Sequence, residues 1–378
     1  MQGSLKAYLD HNATTTIRPS VIEAMNCALM TGGNSSSVHS SGRDARQMIE
    51  EARENVASLV GSETSKVIFT SGGTESNNLA IRGVKGRKVI TSAIEHVSVL
   101  SSASDILSIP VDKNGVVIVE LVEKALRNNF DSSLVSVMLA NNETGVIQPV
   151  KEIAKIAHEY GAIVHCDAVQ ALGKVECNIM ELEVDLLSIS GHKIGGPQGV
   201  GALVSRGDVG LTSINKGGGQ EQGLRGGTEN FPGIVGFGAA ALVAKNDLSR
   251  FSQYAILRDE LESKVQRVEP VQIFGVSADR LPNTTCFTMP GVSSETQVMS
   301  FDLSGFAISA GAACSSGKVE VSHVLTAMGV SRSDAEMAIR VSLGWDTEEY
   351  HVNDFFNTWM SLFEFVGETN LKQNAVTG

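Results

Sequence analysis

Between residue 64 and about 205 the chain alternates short apolar, β-branched runs with stretches whose apolar residues recur at helical spacing. KVIFT (66–70), KVITSA (88–93), LVSVMLA (134–140), AIVHCD (162–167), DLLSIS (185–190) and GALVSR (201–206) predict six strands. Between the third and fourth of them, PVKEIAKIAHEYG (149–161) places Ile153, Ile156, Ala157 and Tyr160 on one face. Proline opens that segment and Gly161 closes it, which predicts a helix. Strands alternating with helices imply an α/β fold built on a mostly parallel, helix-covered sheet. A further helix is predicted over 233–248. RDELESKVQRVEPVQIFG (258–275) then reads as a helix followed by a strand, with a domain change near residue 250. The closing LKQNAVTG is expected to fray.

The polar residues that follow each strand carry the chemistry. Ser71-Gly72-Gly73-Thr74 follows the first, Glu95-His96 the second, Asn141-Asn142-Glu143 the third, Asp167 and Gln170 the fourth, and Gly191-His192-Lys193 the fifth. In a parallel sheet ligands bind beyond the carboxyl ends of the strands, so these five loops converge on one crevice. Each loop taken alone has an ordinary reading. SGGT is either a turn with an N-cap or a phosphate seat of backbone N–H groups and the Thr74 hydroxyl. His96 is either a packed histidine or a ligand, Asp167 a cap or a buried carboxylate that needs a donor, and Lys193 a snorkelling or a sheltered lysine.

One cofactor uses all of these residues. Pyridoxal phosphate needs a lysine for a Schiff base, an acid at its pyridine nitrogen, a seat for its phosphate and a group flat against its ring. Lys193, Asp167, Thr74 and His96 supply these in turn, with Gln170 and Asn142 reaching the ring hydroxyl or the substrate. Shelter that lowers the pKa of a lysine, ordinarily about 10.4, makes its amine a nucleophile. GFGAAA (236–241) matches a loose dinucleotide fingerprint, but NFPGI precedes it instead of a strand, so it reads as a helix with a small-residue face.

Composition narrows the class. The 378 residues are 42% hydrophobic and 19% charged with a net charge of −12, which fits a globular chain and excludes a surface built mainly to neutralise nucleic-acid phosphates. MQGSLKAYLDHNATTT has no apolar signal core and no stretch is suited to crossing a bilayer, so cytoplasmic residence is expected. The five cysteines form no CxxC pair, and no metal site is expected. Four of them, Cys27, Cys166, Cys177 and Cys286, read as small buried hydrophobes. Cys314 stands apart: in ISAGAACSSGKVEVSHVL (308–325) the Gly/Ala/Ser-rich part around it is expected to form a mobile, exposed loop before helix-like sequence, where the thiol is either incidental or, as a thiolate, a nucleophile.

YLDHNATT, FTSGGTESNN, AIEHVSVL, NNETG, HCDAVQALGK, SGHKIGGPQGVGAL, LRGGTEN and AACSSGKVEVSHVL together resemble the cysteine desulfurases of the NifS and IscS type, in the class V aminotransferase group of fold-type I pyridoxal phosphate enzymes. The resemblance spans nearly the whole chain. It implies a homodimer with a large cofactor domain (16–250) and a smaller α+β domain (1–15 plus 251–378) carrying the Cys314 loop. It also implies that Lys193 bonds the cofactor, His96 stacks on its ring, Asp167 faces the pyridine nitrogen and Gln170 the ring oxygen. Gly73, Thr74, Ser190 and His192 would hold the phosphate, with Thr228 arriving from the other subunit. Asn142 and Arg340 would bind L-cysteine. Cys314 would carry the persulfide to acceptor proteins, either a scaffold for iron–sulfur clusters or a tRNA-thiolation carrier, with no direct nucleic-acid contact. Another class V enzyme, a small-amino-acid transaminase or a selenocysteine lyase, is the alternative. Ser35, Gly195 and Gln198 depart from the usual pattern; the first is expected to loosen an N-terminal loop, and Gly195 to remove a side chain near the cofactor entrance.

Overall fold

The computed structural model describes residues 5–128, 133–268, 270–311 and 321–377, with 367–377 as backbone alone. Its strands are β1 (Ala7–Tyr8), β2 (Val67–Thr70), β3 (Lys88–Ser92), β4 (Ile106–Ile109), β5 (Ser133–Met138), β6 (Ile163–Asp167), β7 (Leu186–Ser190), β8 (Gly201–Ser205), β9 (Thr284–Thr288), β10 (Phe306–Ala307), β11 (Ser309–Ala310) and β12 (Ala338–Ser342). Seven of them form the main sheet in the order β2-β8-β7-β6-β5-β3-β4. Only β8 runs against its neighbours, so β2 points the same way as the parallel block. β2, β5 and β7 are buried at every residue. Helices cover both faces of such a sheet, and polar chemistry can emerge only at its ends.

All six strands read from the sequence form. β4 went unread because ILSI is short, half exposed and at the sheet edge, where burial imposes little pattern. The strand expected in VQIFG does not form; Ile273 makes a single bridge to Phe287. The helix at 149–161 is present as Val150–Glu159, and that at 233–248 as Phe231–Phe251. In the latter Gly238 lies so close to the Ser40–Leu59 helix that an added Cβ would sit 2.4 Å from the Cα of Ala52. This is the small-residue packing face read from GFGAAA. The tail expected to fray is helical in its backbone, as part of Glu349–Thr377.

Beneath the main sheet one hydrophobic cluster joins strand residues such as Val135, Val164 and Ile189 to the covering helices. It reaches past residue 250 to Phe274, Leu281, Cys286 and Val324. A second cluster gathers Ala7 and Leu9 with Phe287, Phe301, Phe306, Val341, Phe355 and Trp359, around the antiparallel set β11-β12-β9 and the β1-β10 pair. Among the described residues no helix is long and apolar enough to cross a membrane. Cys166, Cys177 and Cys286 are buried as expected, whereas Cys27 is exposed, because its position on the Pro19–Thr31 helix faces away from Val21 and Ala28.

Trp359 is fully buried and lies edge-on to Phe287 with centroids 6.1 Å apart. Its removal leaves a large cavity in the second cluster. Trp359→Ala should lower the free energy of unfolding by about 3–5 kcal/mol, as read from urea denaturation. Trp359→Phe should lower it by less, because the indole N–H has no hydrogen-bond partner to lose among the described residues.

Candidate active site

A cavity of about 330 Å³ opens at the carboxyl ends of the parallel strands. Gly73, Thr74, His96, Asn142, Asp167, Gln170, Ser190, His192, Lys193 and Arg340 all line it. Ten side chains or backbone positions from distant parts of the chain thus meet in one place, eight of them from the loops that follow the strands and two, Ser190 and Arg340, named through the resemblance. Thr228 is exposed and does not line it, and Cys314 lies outside the described residues.

Asp167 ends β6 and is buried, so its charge needs donors. Asn77 Nδ2 donates to Oδ2 at 2.7 Å and the Val169 N–H to Oδ1 at 3.0 Å. Asn77 also donates to Ser98, whose N–H and hydroxyl both meet His96 Nδ1. Because Nδ1 accepts a backbone N–H, the neutral His96 ring carries its proton on Nε2. Burial holds the His96 pKa below its ordinary value, against the opposing charge of Asp167. At the next strand Ser190 Oγ is buried with no hydrogen-bond partner among the described residues. The Gly73–Gly83 helix begins beside it and presents its first-turn N–H groups.

Lys193 sits half buried in a short 3-10 turn, Gly191–Lys193, that follows β7. Its Nζ donates to the backbone carbonyls of Asn12 and, at 2.8 Å, Ala13. His192 Nδ1 meets Thr14 Oγ1 at 3.1 Å. The N-terminal segment therefore closes one side of the cavity. Asn12 Nδ2 donates to the Asn142 carbonyl at 3.1 Å, and Arg340 Nη1 to the same oxygen at 3.0 Å. Arg340 Nη2 donates to Asp10 at 2.6 Å, while its Nε has no partner among the described residues.

Asp10, Asn12, Asn77, Ser98 and Lys174 were not assigned roles from the sequence. Asp10 and Asn12 stand in YLDHNATT and Asn77 in FTSGGTESNN. The available signal was a run of polar residues between apolar segments, which marks a site without saying what each residue touches. Gly195 does not line the cavity; its backbone is left-handed, φ 83°, and an added Cβ would meet the Arg18 side chain at 2.7 Å. Glycine there answers to backbone conformation. Ser35, expected to loosen its loop, is buried and its hydroxyl donates to Glu229 at 3.0 Å. Gln198 Nε2 reaches Thr14 Oγ1 at a long 3.4 Å.

The aminotransferase class-V profile matches residues 7–355. The chain is 43% identical to the cysteine desulfurase IscS of Dictyoglomus turgidum, with 92% of each chain covered. It is 40% identical to the IscS-like cysteine desulfurase of Mycobacterium tuberculosis, over 92% of this chain and 93% of that one. Among solved structures, a NifS-like protein from Rickettsia africae superposes with a TM-score of 0.88 at 37% identity, covering 96% of this chain and 100% of its own.

Burial around the cavity leaves several groups uncharged. It pushes Glu95 up to about 8, helped by the Asp167 charge, and Glu143 up to about 7. It brings His11, His165 and His192 down to about 4. The unfolded histidines bind protons below about 6.5 and the folded ones only near 4, so stability is lost as pH falls through that window. The unfolded glutamates release protons near 4.5 and the folded ones hold theirs to about 7 and 8, so stability is lost as pH rises across that range. Above pH 6.5 the glutamates alone act among these five. Glu95→Gln keeps the oxygen that accepts from Ser92 and Met138. It should match the parent in urea denaturation at pH 4.5 and exceed it at pH 8 by up to about 4 kcal/mol.

Proposed function

The chain belongs to the class-V aminotransferase family, and we propose that Lys193, Asp167, His96 and Cys314 carry out in it the reaction of a cysteine desulfurase. L-cysteine becomes L-alanine, and its sulfur becomes a persulfide on the enzyme. The observation that carries this reading is the meeting of Lys193, Asp167, His96 and the Ser190 region at one cavity.

The residues present fit pyridoxal phosphate. The unpartnered Ser190 hydroxyl and the first-turn N–H groups of the Gly73–Gly83 helix are the donors a phosphate would satisfy, with Thr74 and His192 beside them. Thr228 from a second copy would complete that seat in a homodimer. Asp167, held by Asn77 and the Val169 N–H, would keep the pyridine nitrogen protonated, and Gln170 would face the ring oxygen. When bound through Lys193, the cofactor supplies an electron sink for the bonds at the α-carbon of an amino acid.

The chain's own groups do the rest. Each terminal nitrogen of Arg340 has a second N–H beyond its bonds to Asp10 and Asn142, which suits bidentate capture of the substrate carboxylate. Lys193 Nζ, which lines the cavity, would be the group that takes the substrate's α-proton and returns it. His96 keeps a proton on Nε2 for exchange with the substrate. Cys314 Sγ attacks the sulfur of the bound cysteine; the S–S bond forms as the C–S bond breaks, and its electron pair returns to the carbon that becomes the methyl group of alanine. Tethering makes that attack effectively intramolecular.

The same proposal divides the chain into a large domain, 16–250, and a small one, 1–15 plus 251–378, supported by the second apolar cluster that draws on both chain ends. Cytoplasmic residence is supported by three buried cysteines left as thiols. A persulfide carried on a cysteine side chain suits hand-over to sulfur-acceptor proteins, an iron–sulfur scaffold or a tRNA-thiolation carrier.

Cys314→Ser should reduce alanine formation from cysteine to background while the visible absorption of bound pyridoxal phosphate persists. Full turnover in that variant would instead favour a transaminase. Arg340→Lys, which replaces a fork by a point charge, should raise KM for cysteine about tenfold or more, measured by steady-state alanine release.

A further inference from the structure

Lys174 is a buried amine beside the cavity that the mechanism leaves unused. It is 4% exposed, in the turn that follows β6. Its Nζ donates to Asn12 Oδ1 at 2.8 Å and to Gln170 Oε1 at 2.9 Å. Both of these partners are side-chain amides, groups that can turn over and exchange oxygen for nitrogen. An amine, charged or neutral, has at least two N–H bonds to give, so it holds both amides with their oxygens inward.

The consequence falls on the far side of each amide. Gln170 Nε2 is turned away from Lys174 and donates to the Asn12 carbonyl at 2.7 Å, the same oxygen that Lys193 meets. Asn12 Nδ2 is turned toward Thr284 Oγ1 and the Asn142 carbonyl. A second N–H on Gln170 Nε2 is left for the cavity that Gln170 lines.

We propose that Lys174 is a positioning residue: by holding Gln170 Oε1 it commits the Gln170 amide to donating, not accepting, toward the ring oxygen of the cofactor. This rests on the reading of the cavity as a pyridoxal phosphate site. Burial, with the charges of Lys193 and Arg340 adding to it, pushes the Lys174 amine well below the usual lysine range. Solvation is thus poor, and the two amide oxygens are the partners that compensate. The titratable and charged groups facing it are Lys193, Arg340, Cys177, His11 and His192.

A donor at the ring oxygen favours its ionised form and lowers the pH at which the visible absorption of the bound cofactor titrates. In Lys174→Met the Gln170 amide is free to turn, and the midpoint of that titration should rise by about one unit. Lys174→Gln, which retains an N–H donor at the position, should stay close to the parent. The direct electrostatic effect of Lys174 is separated by repeating Lys174→Met in a Gln170→Met background, where no further shift is expected. An unchanged midpoint in Lys174→Met, or equal shifts in both backgrounds, would overturn the proposal. Thermal unfolding of each variant establishes that it is folded; should Lys174→Met fail to fold, a displaced midpoint in Lys174→Gln overturns the proposal and a parental one supports it. Parent protein that gives no visible band with added pyridoxal phosphate would sink the site assignment itself.

Discussion

A carboxylate at the end of a doubly buried strand cannot stay charged without donors, and much of the cavity is arranged around that need. Asp167 closes β6 in the middle of the main sheet. Asn77 reaches it from the helix after β2, and the backbone of Val169 turns back to it. Asn77 in turn fixes Ser98, and Ser98 fixes the His96 ring after β3. One charge thereby sets the orientation of groups delivered by three separate loops. The seven-stranded sheet makes this possible, because β2, β3, β5, β6 and β7 all end on the same edge.

The opposite wall comes from the start of the chain. Residues 10–15 run from the small β1-β10 pair into the cavity, where the Asn12 carbonyl takes bonds from Lys193 and Gln170 and its side chain bonds Lys174, Asn142 and Thr284. Asp10 and the Asn142 carbonyl hold Arg340, which stands on β12 of the second sheet. The groups read as cofactor-binding and those read as substrate-binding are therefore linked through one backbone segment. Loss of its register would disturb both.

The central strands were legible because burial on both faces forces continuous apolar runs, and the loop residues because each run ends sharply in polar residues. The identity of ten cavity-lining positions followed from that edge and from the motif resemblance together. β4 was hidden by its partial exposure, and VQIFG lies along the edge of β9, bonding Cys286 and Thr288, but makes one bridge there and no ladder. Asn12, Asn77 and Lys174 were visible as letters within quoted motifs, yet their work is to hold other side chains. Such roles depend on which groups the fold brings within 3 Å, and no periodicity in the sequence encodes that. Cys27 shows the converse: a cysteine in an apolar helix was read as buried, but the helix turns it outward.

The account stands on a covalent link between Lys193 and a pyridoxal ring that faces Asp167. Borohydride reduction of protein supplied with pyridoxal phosphate, followed by peptide mapping by mass spectrometry, locates that link directly. A phosphopyridoxyl group on the peptide containing Lys193 is the predicted result. Its absence from that peptide, with the label on Lys174 or nowhere, would contradict the account.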